Sequence, residues 1–357
     1  MKKTIAVALL LAASSVMAHT NHVHHDAPAK GSEQKIDEVK ALIQKARQTA
    51  DEDYYHQAQT VLAQVEEGTP GAKLYQAEIE QYFHQFDQAL VTLTKARPSV
   101  GADLLKSSIQ YTQGNYEQAY VTCKGLFGKV SHLVSLTCVS QAMSLNGKLS
   151  RSYNMLQKMV KRSENAEVLE QHWAYTTLAE MAERRNEIKT AMLFYERALK
   201  LKPNDIPSRI AYADLLISQK QYDKAQQITK DYLRNDLLLL RYVRALNIQG
   251  DMRMSDHFCD LKRRVLNYEY KKNHLHYDLM AEYYFYFSTD FDTALAYASK
   301  HWQQQKTPRD ARLLATVALT AGDEDKLQAI HQWRGQRQLE DKLLDNILQY
   351  AVLAYNE

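Results

Sequence analysis

Residues 191–205 read AMLFYERALKLKPND, and upstream residues 114–120 read GNYEQAY. Ala191, Tyr195, Ala198 and Leu199 fall at helical spacing on one face. Pro203-Asn204-Asp205 then ends the helix, because proline removes a backbone donor and disfavours helix in the residue before it. GNYEQAY has the opposite sense: a Gly-Asn turn opens a helix whose Tyr116 and Ala119 lie on one side. A polar or glycine turn, an aromatic or aliphatic residue, two residues, and then a small one make up a phrase that GNYEQAY contains and that Asn186-Glu187-Ile188-x-x-Ala191 completes at the head of the first stretch.

The phrase recurs along the chain. Clear copies are Phe86-x-x-Ala89, Tyr116-x-x-Ala119, Ile188-x-x-Ala191, Tyr222-x-x-Ala225 and Phe291-x-x-Ala294. Tyr55-x-x-Ala58, Leu149-x-x-Ser152, Met252-x-x-Ser255 and Glu324-x-x-Leu327 are weaker ones. From Ala58 to Leu327 the copies repeat with a mean period of about 34 residues. Seven of the nine units carry a further small residue twelve positions before the first: Ala46, Ala77, Ser107, Ser140, Ala179, Ala213 and Ala315. Val243 and Glu282 occupy that position in the other two. Two antiparallel helices approach closely only where small side chains meet at their crossing, so two matched small positions per unit predict stacked helical hairpins.

A period near 34 with these residues resembles the tetratricopeptide repeat. Trp173–Asn204 is the best single unit, with Ala179 in its first helix and Ala191, Tyr195, Ala198 and Pro203 after it. A second good unit follows with Ala213 and Ala225. The resemblance implies an all-α, right-handed solenoid of about nine helix-turn-helix repeats over residues 34–357, clearest over 102–233 and degenerate at both ends. It also implies a concave face built from first helices, where Thr176, Glu180, Glu183 and Asp214 are the candidate surface residues. Family members that grip a peptide's C-terminal carboxylate use lysine, asparagine and arginine on that face. Thr176 and Glu180 stand there in the best unit, so that mode of binding is not expected.

Composition agrees with helices. The chain has 357 residues, 45% hydrophobic and 24% charged, with only 11 Gly and 6 Pro. Residues 1–18 have the form of a secretory signal peptide: Lys2 and Lys3, the apolar run Ile5–Ala13, and small residues leading to cleavage after Ala18. The Lys-Lys-Thr-Ile-Ala start resembles signals of Gram-negative bacteria and points to the periplasm. Its removal takes two lysines and no acid, leaving a nearly neutral chain without the basic footprint of a nucleic-acid binder. No later segment is apolar enough to span a membrane.

Residues 19–33 carry few apolar groups and are expected to form a flexible tail. His19, His22, His24 and His25 fall within it. Imidazoles at this density bind Cu, Zn or Ni, and the free amine expected at His19 would add a chelating nitrogen. No catalytic motif is present: no phosphate-binding glycine loop, no nucleophile elbow and no metalloprotease helix. Cys123 and Cys138 flank an expected interhelix loop at comparable distances and are a candidate disulfide. Cys259 is left over and is expected to be a buried apolar residue. Tyr283 to Phe287 form an aromatic run, expected in the core. These readings describe a periplasmic scaffold, non-catalytic and without a resident cofactor, that holds a protein partner on its concave face. The alternatives are a metal-handling accessory protein and a support subunit of a cell-envelope enzyme; pairing of the end units would make a homo-oligomer.

Overall fold

The computed structural model describes residues 30–49 and 51–354. The expected signal peptide and its cleavage point, with His19, His22, His24 and His25, lie outside the described residues. Among the described residues there are 19 α-helices and no strand. The first hairpin pairs α1 (Lys30–Thr49) with α2 (Asp53–Leu62), and the second pairs α3 (Ala72–Tyr82) with α4 (Phe86–Thr94). Next come α5 (Val100–Thr112) with α6 (Tyr116–Lys124), and α7 (His132–Met143) with α8 (Leu149–Arg162). The middle hairpins are α9 (Val168–Arg184) with α10 (Ile188–Leu201), and α11 (Ile206–Ser218) with α12 (Tyr222–Thr229). After them come α13 (Asp236–Gln249) with α14 (Met254–Tyr270), α15 (Tyr277–Tyr283) with α16 (Phe291–Gln304), and α17 (Pro308–Ala321) with α18 (Glu324–Gln336). A single helix, α19 (Lys342–Ala354), closes the stack. The all-α solenoid is therefore nine hairpins and a terminal helix.

The small residues sit where the helices cross. Ala58, Ala89, Ala119, Ala179, Ala191, Ala198, Ala213, Ala225 and Ala294 are all buried, and so is the Tyr195 ring between them. Each first helix ends in a turn with one left-handed residue: His84, Gly114, Gly147, Asn186, Lys220, Gly250, Thr289 and Gly322 in hairpins two to nine. In six of these turns the next N–H reaches back to the helix in a Schellman bond, as from Asn115 to the Gln110 carbonyl (2.8 Å) and from Glu187 to that of Ala182 (2.8 Å). These are the polar turns that precede each sequence copy.

Four expectations are corrected. Helix α1 begins at Lys30, so residues 30–33 are not tail; Ser32 is buried, and its hydroxyl accepts from the Glu66 N–H (3.4 Å). Met252 and Ser255 do not form a crossing, because α14 starts at Met254 and buries Leu261, Val265 and Tyr268 instead. That stripe leaves Cys259 exposed on the opposite face, not in the core. Pro203 is exposed and acts as a terminator, its carbonyl accepting from the Arg209 guanidinium and from the Tyr232 hydroxyl (3.3 Å).

The solenoid curls until its own edges meet. His274 Nε2 lies 3.4 Å from the Phe83 carbonyl, Tyr116 Oη donates to the Lys306 carbonyl (2.6 Å), and the Leu149 N–H donates to the Glu340 carboxylate (2.8 Å). These contacts span 191, 190 and 191 residues of chain. The turns of hairpins two to four thus seat on the loops that follow hairpins seven to nine, about five to six repeats later. Two turns make room with glycine. A Cβ on Gly114 would sit 3.0 Å from Lys306 Cβ, and one on Gly147 would sit 2.8 Å from the Gln338 amide oxygen. Gly250 and Gly322, in the same turn position further along, have nothing within 4 Å.

Candidate functional site

The coiling turns the first helices of hairpins three and five to nine toward one another. Between them lies a cavity of about 390 Å³. Its wall holds Tyr111, Tyr195, Phe285 and Tyr286, with apolar patches from Ile210, Leu313 and Val317. Glu180, Glu183 and Asp214, named from the sequence as concave residues, are on this wall. Thr176 is not: it is buried at the helix crossing, where its hydroxyl bonds the His172 carbonyl (3.0 Å) and meets Ser208 Oγ (3.3 Å).

Most of the charge on this wall is spent within the protein. Arg241, 2% exposed, grips Asp214 through Nε (2.9 Å) and Nη2 (3.0 Å) and Glu282 through Nη2 (2.8 Å) and Nη1 (2.6 Å). Arg309 reaches the same Glu282 at 3.1 Å and Asp214 at 3.6 Å. Four first helices, α11, α13, α15 and α17, are tied together by this one cluster. Burial opposes charge on Arg241, but the two carboxylates outweigh it and hold the guanidinium ionised. Burial likewise pushes Asp214 up, and Arg241 and Arg309 bring it below the usual carboxylate range. Arg312 extends the network across the cavity, to Glu183 on α9 (2.5 Å) and to Asp341 (3.4 Å). Tyr195 donates to the other oxygen of Glu183 (3.3 Å). Behind Arg309, Asp310 closes a capping box with Thr307 and bonds His301 (2.9 Å).

The aromatic run departs from the sequence reading. Tyr283 is buried as expected, but residues 284–288 form a π-helical turn that extends α15. The wider turn puts Phe285 and Tyr286 on the cavity wall. The arginines were missed altogether from sequence. Their trace was there: Glu282 breaks the small-residue rule, and Arg241 and Arg244 interrupt the apolar run Leu237–Leu246.

Elsewhere, Cys123 on α6 and Cys138 on α7 are joined by a disulfide between hairpins three and four. Among the described residues no group of three or more histidine, cysteine or acidic side chains is placed to hold a metal ion.

Residues 184–246, which span the cavity-lining part of α11 and α13, match the tetratricopeptide-repeat family model. This stretch carries tetratricopeptide repeats. The chain's solenoid is similar to that of a Rap protein solved in complex with Competence and Sporulation Factor, with a TM-score of 0.51 over 90% of this chain and 100% of that one, at 11% identity. A second solved structure, the APC/C hetero-tetramer Cut9–Hcn1, gives a TM-score of 0.49 at 14% identity over 87% of this chain. This chain spans 63% of the length of that structure's matching chain. Identities this low speak for the fold alone. No curated protein is similar to it in sequence.

Proposed function

We propose that this tetratricopeptide-repeat protein is a periplasmic, non-catalytic scaffold that holds a segment of a protein partner on its first-helix face. The carrying observation is the cavity itself, with six first helices converging on a wall where charge is fixed in place by buried arginine–carboxylate pairs. A pre-organised polar wall lowers the entropic cost of ordering a partner. Export is supported by the leader over residues 1–18 and by the Cys123–Cys138 disulfide, a bond that persists in oxidising compartments. Crosslinking and affinity capture from a periplasmic extract test the reading, using the wild-type chain and a Tyr286→Ala variant that changes the cavity wall. One partner should be recovered reproducibly with the wild type and depleted with the variant. Recovery of no reproducible partner would overturn it.

The four histidines at positions 19, 22, 24 and 25 favour a second, compatible role in capturing copper, zinc or nickel. Calorimetry with Cu(II) and Zn(II) on chains with and without residues 19–26 decides it. Tail-dependent binding below millimolar supports the role, and equal heats from both chains would remove it.

A further inference from the structure

Two charged side chains on the cavity wall have neither an ion pair nor a hydrogen bond to the backbone, and they have opposite signs. Arg184 turns its guanidinium to Ser144, reaching the carbonyl (2.7 Å) and the hydroxyl (2.5 Å). Arg241, Arg309 and Arg312 have the carboxylate partners already described. Arg244 makes no hydrogen bond or ion pair among the described residues; its guanidinium carbon lies over the Tyr286 ring, 3.7 Å from the centroid. Stacking of that kind leaves the in-plane N–H donors open to an anionic group. On the far side of the wall, Glu180 has no arginine or lysine within ion-pair distance. Its one hydrogen-bond partner is the Gln141 side chain; burial, helped by the neighbouring Glu183 charge, raises its carboxyl to about 7 against the pull of Arg184 and Arg312.

A ligand complementary to this wall is neutral overall and carries both charges. We propose that the cavity binds a small zwitterion, a free amino acid or a peptide of two or three residues, with its carboxylate on Arg244 and its ammonium on Glu180. Phe285, Tyr286, Ile210 and Leu313 supply apolar surface for its side chain. A volume of about 390 Å³ lies at the lower end of the range for small-molecule sites, which suits a solute of this size. An isolated cation would leave Arg244 uncompensated and an isolated anion would leave Glu180 without a charged partner, whereas the zwitterion satisfies both. The proposal rests on the reading that the first-helix face is the binding face.

The test is isothermal titration calorimetry of the full chain at pH 7 with the free amino acids and with di- and tripeptides of the tightest-binding one. The same compounds with an N-acetyl or a C-terminal amide group serve as one-charge controls. At least one zwitterion should bind below millimolar, and blocking either end should weaken it by about 10- to 100-fold, the range for a hydrogen bond to a charged group. Chain length of the tightest ligand reports how far apart Arg244 and Glu180 hold its ends. Because an ammonium ionises Glu180, binding should release protons, seen as different heats in phosphate and Tris. Glu180→Gln should abolish that release and weaken binding, and Arg244→Gln should weaken binding while leaving the release in place. Blocked compounds that bind as well as their parents, or no zwitterion binding below millimolar, would overturn the proposal. A captured protein partner without zwitterion binding refutes this inference and leaves the scaffold intact; zwitterion binding without a partner does the reverse.

Discussion

Replacing Gly114 by alanine should separate the cost of a strained turn from the cost of parting the coil. Gly114 and Gly322 occupy the same turn position in hairpins three and nine, with φ of 75° and 73°. An alanine in the left-handed region costs about 1–2 kcal/mol at either site. At Gly322 the new methyl meets nothing within 4 Å, so the cost stops there. At Gly114 it would stand 3.0 Å from Lys306 Cβ and 3.5 Å from the Lys306 carbonyl. Lys306 cannot retreat freely, because its N–H donates to the Thr112 carbonyl (2.8 Å) and its carbonyl accepts from Tyr116 Oη (2.6 Å). Arg337 Nε also bonds the Gly114 carbonyl (3.1 Å). Overpacking at a site of this kind adds about 1–3 kcal/mol. Gly114→Ala is therefore expected to lose about 1–3 kcal/mol more than Gly322→Ala in urea unfolding followed by far-UV circular dichroism. Small-angle scattering should show a larger radius of gyration for the Gly114 variant alone, as the turn lifts from the loop. Equal losses within about 0.5 kcal/mol, with identical scattering, would refute the claim that this glycine is there for closure.

Arg241→Met should cost about 3–5 kcal/mol in the same assay, because the buried Glu282 would keep only Arg309 as a partner beside the partly exposed Asp214; adding Glu282→Gln should recover part of the loss. Reducing the Cys123–Cys138 bond, which closes 15 residues of separation, should cost about 3 kcal/mol, read as a lower urea midpoint with dithiothreitol that Cys123→Ser/Cys138→Ser does not show. Glu180 gives a pH signature. Its folded value of about 7 lies above the ordinary 4.5, so between those values the folded chain holds more protons than the unfolded one. Its contribution is therefore full below about pH 4.5 and is lost as pH rises through 7. Glu180→Gln should be more stable than wild type above pH 7, by about 3 kcal/mol, and match it below about pH 4.5; parallel pH profiles for the two would contradict this.

Local rules were enough to read the hairpins. A helix crossing needs small residues wherever it occurs, and a Schellman turn needs a residue that tolerates positive φ, so both recur in the sequence at the repeat period. Hairpin seven shows the limit: Val243 and the late start of α14 shift its buried stripe to Leu261, Val265 and Tyr268, and the pattern alone places that crossing at Ser255. Cys259 was misplaced for the same reason.

By itself, then, the sequence determined an all-α stack of nine hairpins, because each hairpin is stabilised by neighbours close in the chain and its rules repeat. Only the tertiary structure decided that the stack coils until one turn of the superhelix touches the next, and that Arg244, Glu180 and Tyr286 share one cavity. Those outcomes depend on contacts some 190 residues apart, set by small rotations accumulated over several repeats. No single repeat records that sum; Gly114 and Gly147 are its local trace, and they look like any other turn glycine until the opposite edge arrives.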